Sequence, residues 1–172
     1  MRPMGPVIRR AEPADAEAGA WCHLLCWREA YAGLVEPGLL AERTSDIERR
    51  VERWTSALAA GVVRWIAVDS GDDVSVRDRV VGFASAGTSR DEDAPTELEL
   101  YAIYTRAAWW GTGLGARLFE AAVGDEPASL WVLEGNARAR AFYRRLGFVE
   151  DGSTVDEPFF DVPEIRMVRP GG

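Results

Sequence analysis

Three glycines at alternate positions, in Trp110-Gly111-Thr112-Gly113-Leu114-Gly115, lie between a strand-like run, Leu98 to Thr105, and a helix-like run, Ala116 to Val123. Without a Cβ, such a segment bends sharply and lets another molecule approach the backbone closely. A helix that begins at once turns its unpaired N–H groups and its positive dipole end back toward the loop. That arrangement suits a phosphate or pyrophosphate. The spacing is G-x-G-x-G, in the second half of the chain after hairpin-like strands, and does not match the G-x-G-x-x-G of a dinucleotide-binding βαβ unit. A nucleotide P-loop needs Lys and Ser or Thr after its last glycine, and here Gly115 is followed by Ala116 and Arg117. Taken alone, the loop leaves two readings open: an anion cradle, or glycines that only turn a strand into a helix.

A second segment adds to it. The apolar run Leu130-Trp131-Val132-Leu133 leads to Asn136, a good helix N-cap, and the helix that follows stops at Gly147, a typical residue just past a helix end. The two segments, Trp110 to Ala116 and Asn136-Ala137-Arg138-Ala139-Arg140-Ala141-Phe142-Tyr143-Arg144-Arg145-Leu146-Gly147-Phe148, in that order, resemble the GNAT superfamily of N-acetyltransferases. The order of elements along nearly the whole chain is similar too. The family's loop usually begins with Gln or Arg, whereas this chain has Trp110. In that family backbone N–H groups are the donors to the pyrophosphate, so the resemblance implies that the departure removes one polar contact and leaves the cradle.

The resemblance implies acyl transfer from acetyl-CoA to a primary amine, with acetyl-CoA as cosubstrate and no metal. It implies that Gly111, Thr112, Gly113, Leu114, Gly115 and Ala116 hold the pyrophosphate. It also implies that Ile103, Tyr104 and Thr105 pair through their backbone with the pantetheine arm where the sheet splays, and that Asn136 contacts the same arm. Arg117 is expected near the nucleotide phosphates. Tyr143 matches the family tyrosine that protonates the leaving thiolate. Its other reading is a core tyrosine beside Phe142.

The chemistry sets further requirements. An alkyl amine with a pKa near 10.4 is mostly protonated at pH 7 and attacks a thioester only when neutral, so a base or a water chain must take its proton. The tetrahedral oxyanion needs donors. Glu99 is the expected base: it lies on the strand leading into the loop, eleven residues before Trp110, a spacing similar to that in the family's histone-acetylating branch. Glu97 shares its face by the strand period of two and is held in reserve. For both, a solvated strand face is the competing reading. Trp27 and Tyr31, on the first long helix, occupy the region where the family shapes its acceptor pocket, although core packing also accounts for Trp27. Trp109 either lines the same cleft or covers the sheet. Were Glu99 and Tyr143 not to work, the chain would be a non-catalytic acyl-CoA-binding module.

Several elements must hold these residues in place. Val7 to Arg10 reads as a strand. Pro13 and nearby acids open a helix to Tyr31, with Trp21, Leu24, Leu25, Arg28 and Tyr31 on one face. A short helical piece holds Leu39 and Leu40. Thr44-Ser45-Asp46 caps a helix that runs to about Ala60 and stops at Gly61. Val62 to Val68 and Val80 to Gly87 read as paired strands around a polar hairpin loop, Ser70 to Arg79, and Thr96 to Thr105 as a long strand. Ala128 to Leu133, Phe148 to Val155 and Val162 to Val168 complete the strands. The expected fold is a single α/β domain of the GNAT type over residues 1–172. Its central sheet should be mixed and mostly antiparallel, with about six or seven strands flanked by helices.

Composition narrows the function classes. A formal net charge of −8, from 20 basic and 28 acidic residues, argues against non-specific nucleic-acid binding and is compatible with amine substrates. No apolar run approaches the roughly 18 residues of a membrane span, and Met1 to Pro6 lacks the apolar core of a signal peptide. A cytoplasmic protein without a membrane partner is therefore expected; the resemblance leaves a homodimer open. Two cysteines, Cys22 and Cys26, are too few for a disulfide scaffold and lack companion ligands for a metal. His23, the only histidine, reads as structural. Arg138, Arg140, Arg144 and Arg145 read as a solvated helix face, with one of them near the cofactor.

Overall fold

The computed structural model describes residues 5–71 and 73–171. Seven strands form one sheet in the order β1-β2-β3-β4-β5-β7-β6. They are β1 (Val7–Arg10), β2 (Trp65–Val68), β3 (Val80–Thr88), β4 (Leu98–Thr105), β5 (Ala128–Leu133), β6 (Val149–Glu157) and β7 (Val162–Arg169). All neighbours are antiparallel except β4 and β5. The helices are α1 (Ala16–Tyr31), α2 (Pro37–Arg43), α3 (Ile47–Ala59), α4 (Val76–Arg79), α5 (Leu114–Ala122) and α6 (Ala137–Arg145). The expected α/β domain with a mixed, mostly antiparallel sheet is what forms.

Local chemistry accounts for most helix ends. Asp46 starts α3, its Oδ1 accepting the Arg49 N–H at 2.9 Å. Gly61, at φ 80, ends that helix in a left-handed turn. Pro37 opens α2, with the Glu36 carboxylate accepting the N–H groups of Gly38 and Leu39.

α1 is buried more broadly than a single stripe. Gly19, Ala20, Cys22 and Cys26 are buried along with Leu24, Leu25 and Tyr31, whereas Arg28 is exposed. Small residues let α3 come close: a Cβ on Gly19 would lie 2.2 Å from the Trp54 ring. His23 is half-buried and accepts the Trp54 Nε1–H at 3.3 Å. Desolvation first, then Arg50, Arg64 and Arg53, hold its pKa well below the usual range, so it is a neutral structural residue. Cys22 and Cys26 are buried free thiols.

Two expectations need correction. The second strand begins at Trp65, not Val62; Val62 and Val63 have no strand partner among the described residues and are exposed. The polar stretch before β3, expected as a plain hairpin loop, contains α4, and Asp72 within it lies outside the described residues. Ser75 Oγ donates to Asp78 Oδ2 at 2.8 Å across that turn, an arrangement that local polar residues favour.

On one face of the sheet, α5 and α6 cover a core of Phe119, Leu130, Val132, Tyr143, Phe148 and Met167, among others. On the other, α1 and α3 cover Ile66, Val80 and Phe83. Fully burying a side chain such as Phe119 or Leu130 stabilises the fold by about 1.5–3 kcal/mol. β7 lies between β5 and β6, so the two last strands form a hairpin that docks on β5 through its second strand.

Candidate active site

β4 and β5 pair at only two positions, Leu98 with Ala128 and Glu99 with Ser129. Beyond these the strands part and the sheet opens into a cleft of about 550 Å³. β4 walls it from Glu99 to Thr105, β5 from Trp131 to Leu133, and the glycine loop closes one end. Among the described residues, the edge of β4 facing the gap has no ladder partner there, so its amides and carbonyls can pair with an extended ligand. A bulge lies at Tyr101, where β3 steps from Ser85 opposite Ala102 to Ala86 opposite Leu100. It changes which side chains of β4 face the cleft. Ile103, Tyr104 and Thr105, expected along the pantetheine arm, all lie on this wall.

The glycines of the loop have separate reasons. Gly111 and Gly113 are left-handed, at φ 74 and 87, and a Cβ on either would meet no atom within 4 Å. Their conformation requires glycine, and the space beside them is open. Gly115 serves packing: a Cβ there would lie 3.2 Å from the Phe142 ring, so its absence lets α5 approach α6. Gly113 is the N-cap of α5 and no side chain caps it. The first-turn N–H groups, on Leu114, Gly115 and Ala116, therefore have no intrahelical acceptor. The open space, free N–H groups and helix dipole fit a pyrophosphate. The Thr112 hydroxyl is occupied locally, donating to the Trp109 carbonyl at 2.7 Å.

Trp110, the point of departure from the family pattern, has a structural role. Its Nε1–H donates to the Thr105 carbonyl at 3.0 Å, tying the loop to the end of β4. The Arg138 guanidinium lies 3.8 Å from the centre of its ring and lines the cleft. Arg138 is thus the arginine of α6 held against the loop, whereas Arg140 and Arg144 both pair with Glu150. Arg117 does not face the cleft as expected. Its Nη2 donates to the Pro6 carbonyl at 3.1 Å, on the side of β1.

Asn136 caps α6, Oδ1 accepting the Ala139 N–H at 3.1 Å, and lines the cleft. Tyr143 fits both of its readings. Its ring packs on Phe142 and Phe148 in the core, and it also lines the cleft. Its hydroxyl has no hydrogen-bond partner among the described residues. Burial, reinforced by Tyr104 and opposed by Arg138, holds its pKa well above that of an ordinary phenol, so it remains a proton donor.

Glu99 lines the cleft but is not the solvated or free carboxylate that the sequence suggested. It is 1% exposed. Its Oε1 accepts Arg90 Nη2 at 2.6 Å, and its Oε2 accepts the Arg90 backbone N–H at 2.9 Å. This ion pair fastens the β3–β4 connection and occupies both oxygens, so the structure gives Glu99 no support as a base. Glu97 is exposed and lies away from the cleft, at the start of β4.

Tyr31 lines the cleft and shares a 2.5 Å hydrogen bond with the Tyr104 hydroxyl. Trp27, expected in the same pocket, is not in the cleft wall. It packs edge-on against Phe159 and Phe160, with the Arg50 guanidinium 4.2 Å from its ring centre. Trp109 lines the cleft and also packs on the sheet beside α5. Sequence reasoning missed Glu164 of β7, which lines the cleft beside Leu133, further along β5 than the Glu99–Ser129 pair. Between Pro163 and Ile165, an acid in an alternating strand reads as a solvated position. Among the described residues no group of three or more His, Cys, Asp or Glu could hold a metal. None of the described helices is long and apolar enough to cross a membrane.

Known proteins share this architecture. The model of the acetyltransferase (GNAT) domain matches residues 62–150. A probable N-acetyltransferase of Mycobacterium tuberculosis is 30% identical over 158 residues, covering 90% of this chain and 86% of that protein. The PaiA N-acetyltransferase of Thermoplasma acidophilum, solved in complex with coenzyme A, superposes with a TM-score of 0.65 at 18% identity, covering 96% of this chain and 99% of that one. YncA of Salmonella typhimurium, a putative acetyltransferase solved with acetyl-CoA, gives 0.64 at 19% identity, covering 96% and 93%. The chain belongs to the GNAT superfamily of N-acetyltransferases.

Proposed function

We propose that this enzyme moves an acetyl group from acetyl-CoA to a primary amine by direct transfer within a ternary complex. The observation that carries the reading is the split between β4 and β5, which opens directly onto the left-handed glycines and ends beside Tyr143. Gly111, Gly113 and the first turn of α5 hold the pyrophosphate through backbone N–H groups, and Arg138 adds a positive charge. The unpaired edge of β4 holds the pantetheine arm, and its free N–H groups are the donors available to the oxyanion. Tyr143 gives its hydroxyl proton to the leaving sulfur, which its raised pKa allows only as the thiolate develops. The acidic chain and the aromatic wall at Tyr31 and Trp109 suit an acceptor that is cationic in water. The test is calorimetric binding of CoA, together with release of free thiol from acetyl-CoA across a panel of primary amines. Binding with amine-dependent thiol release is expected; NAD or ATP bound in preference to CoA would sink the reading.

A further inference from the structure

Two carboxylates line the cleft, Glu99 and Glu164. Glu99 is held by Arg90 through both oxygens. Glu164 is half-buried and has neither an ion pair nor a hydrogen bond to its side chain among the described residues. Its position follows from the register of β7, where it pairs with Leu133 on β5 and Val155 on β6. Cross-strand partners present their side chains on the same face. Leu133 packs against Tyr31 and Phe160, so Glu164 sits on the α1 side of the sheet, at the mouth of the split. The neighbouring cross-strand pair on that face, Trp131 and Arg166, is fixed by Asp91, Asp93 and Asp151. Glu164 is therefore the carboxylate left without a partner among the described residues of the wall.

We propose that Glu164 takes the proton from the incoming amine, which reaches it as an ammonium ion. This rests on the acetyl-transfer reading above. The proton on the amine nitrogen passes to a Glu164 carboxylate oxygen, which frees the nitrogen lone pair to form the C–N bond. The newly bonded nitrogen sheds its second proton to solvent water, the C–S bond breaks with its electrons on sulfur, and sulfur takes the Tyr143 proton. Glu164 and Tyr143 then exchange protons with water, so an ammonium ion and acetyl-CoA give the acetamide, CoA thiol and one released proton. The surroundings of Glu164 suit a base at neutral pH. Desolvation first, then the charge of Glu157 on β6, push its pKa up to about 7, against a smaller opposing effect of Arg90 from the β3–β4 connection. The other ionisable groups that feel it are the phenols of Tyr31 on α1 and Tyr104 on β4, both raised mainly by burial and further by the Glu164 charge. Leu133 on β5 adds no charge.

The test uses the full chain and two readouts. The first is a carbon-13 titration of the glutamate carboxyls in the CoA complex, with Glu164→Gln identifying the resonance. A Glu164 midpoint near neutrality is expected, and one at the ordinary value near 4.3 overturns the proposal whatever the activity. The second is thiol release from acetyl-CoA between pH 5 and pH 9, with propylamine, lysine and a lysine peptide as acceptors. Glu164→Gln should lower turnover by about a hundredfold or more and remove the neutral inflection, with CoA affinity unchanged. Glu99→Gln should keep the inflection. Wild-type turnover and pH profile in Glu164→Gln would overturn the proposal. Failure of the wild-type chain to bind CoA would instead overturn the acetyl-transfer reading itself.

Discussion

Gly113→Ala separates the two demands placed on the glycine loop. At φ 87 the backbone is left-handed, which costs a residue with a Cβ about 1–2 kcal/mol. In a domain of this size that lowers the melting temperature by about 2–8 °C. The methyl group clashes with none of the described residues, since no atom of theirs lies within 4 Å of its position. It enters the space where a pyrophosphate would sit. Pushing the ligand off one charge-assisted hydrogen bond costs about 1.5–3 kcal/mol, or about ten- to hundredfold in affinity. Gly61→Ala is the matched control, because Gly61 has φ 80, equally open surroundings and a place at the end of α3, outside the cleft wall. Thermal melts and CoA calorimetry on both variants should show similar losses of stability, with a loss of affinity in Gly113→Ala alone. Wild-type CoA affinity in Gly113→Ala would refute the pyrophosphate seat. An equal loss in Gly61→Ala would show that strain, not occupancy, is being measured.

Tyr143→Phe should lower turnover by about a hundredfold while leaving CoA affinity and the melting temperature nearly unchanged, because its hydroxyl has no protein partner among the described residues; an unaltered rate would leave Tyr143 as a packing residue. Arg90→Ala strands the Glu99 carboxylate, whose side chain is 2% exposed. It should cost about 2–3 kcal/mol in denaturant titration, most of it recovered by adding Glu99→Gln. Glu164 gives a stability signature of known sign. Its folded pKa, about 7, lies above the unfolded value near 4.5, so the native state holds the extra proton between them. Stability of the wild type should therefore fall as pH rises through that window, whereas Glu164→Gln should lack this fall; parallel melting curves for the two proteins across that range would contradict it.

The sequence determined the features that depend on neighbours in the chain. Alternate glycines before an apolar helix specify a left-handed loop and a free helix start, because only glycine adopts that backbone without strain. Asn136 and Gly147 bound α6 by capping chemistry, and the alternation of β4 and β5 marks both as strands. Those local signals also carried the family resemblance and placed Tyr143 and the β4 wall at the cleft. The tertiary structure decided what depends on distant pairing. Nothing local shows that β7 inserts between β5 and β6, and it is this order that brings Glu164 opposite Leu133. Nothing in Glu99 and its neighbours shows that Arg90, nine residues earlier, folds back and occupies its carboxylate. Trp27 and Tyr31 lie four residues apart on one helix and both pack on Phe160, yet Phe159 also packs on the first, which stays out of the cleft wall, while the second lines it. Whether a carboxylate is a base or a fastening depends on its charge partners and its access to water, and the chain sets both only when it closes on itself.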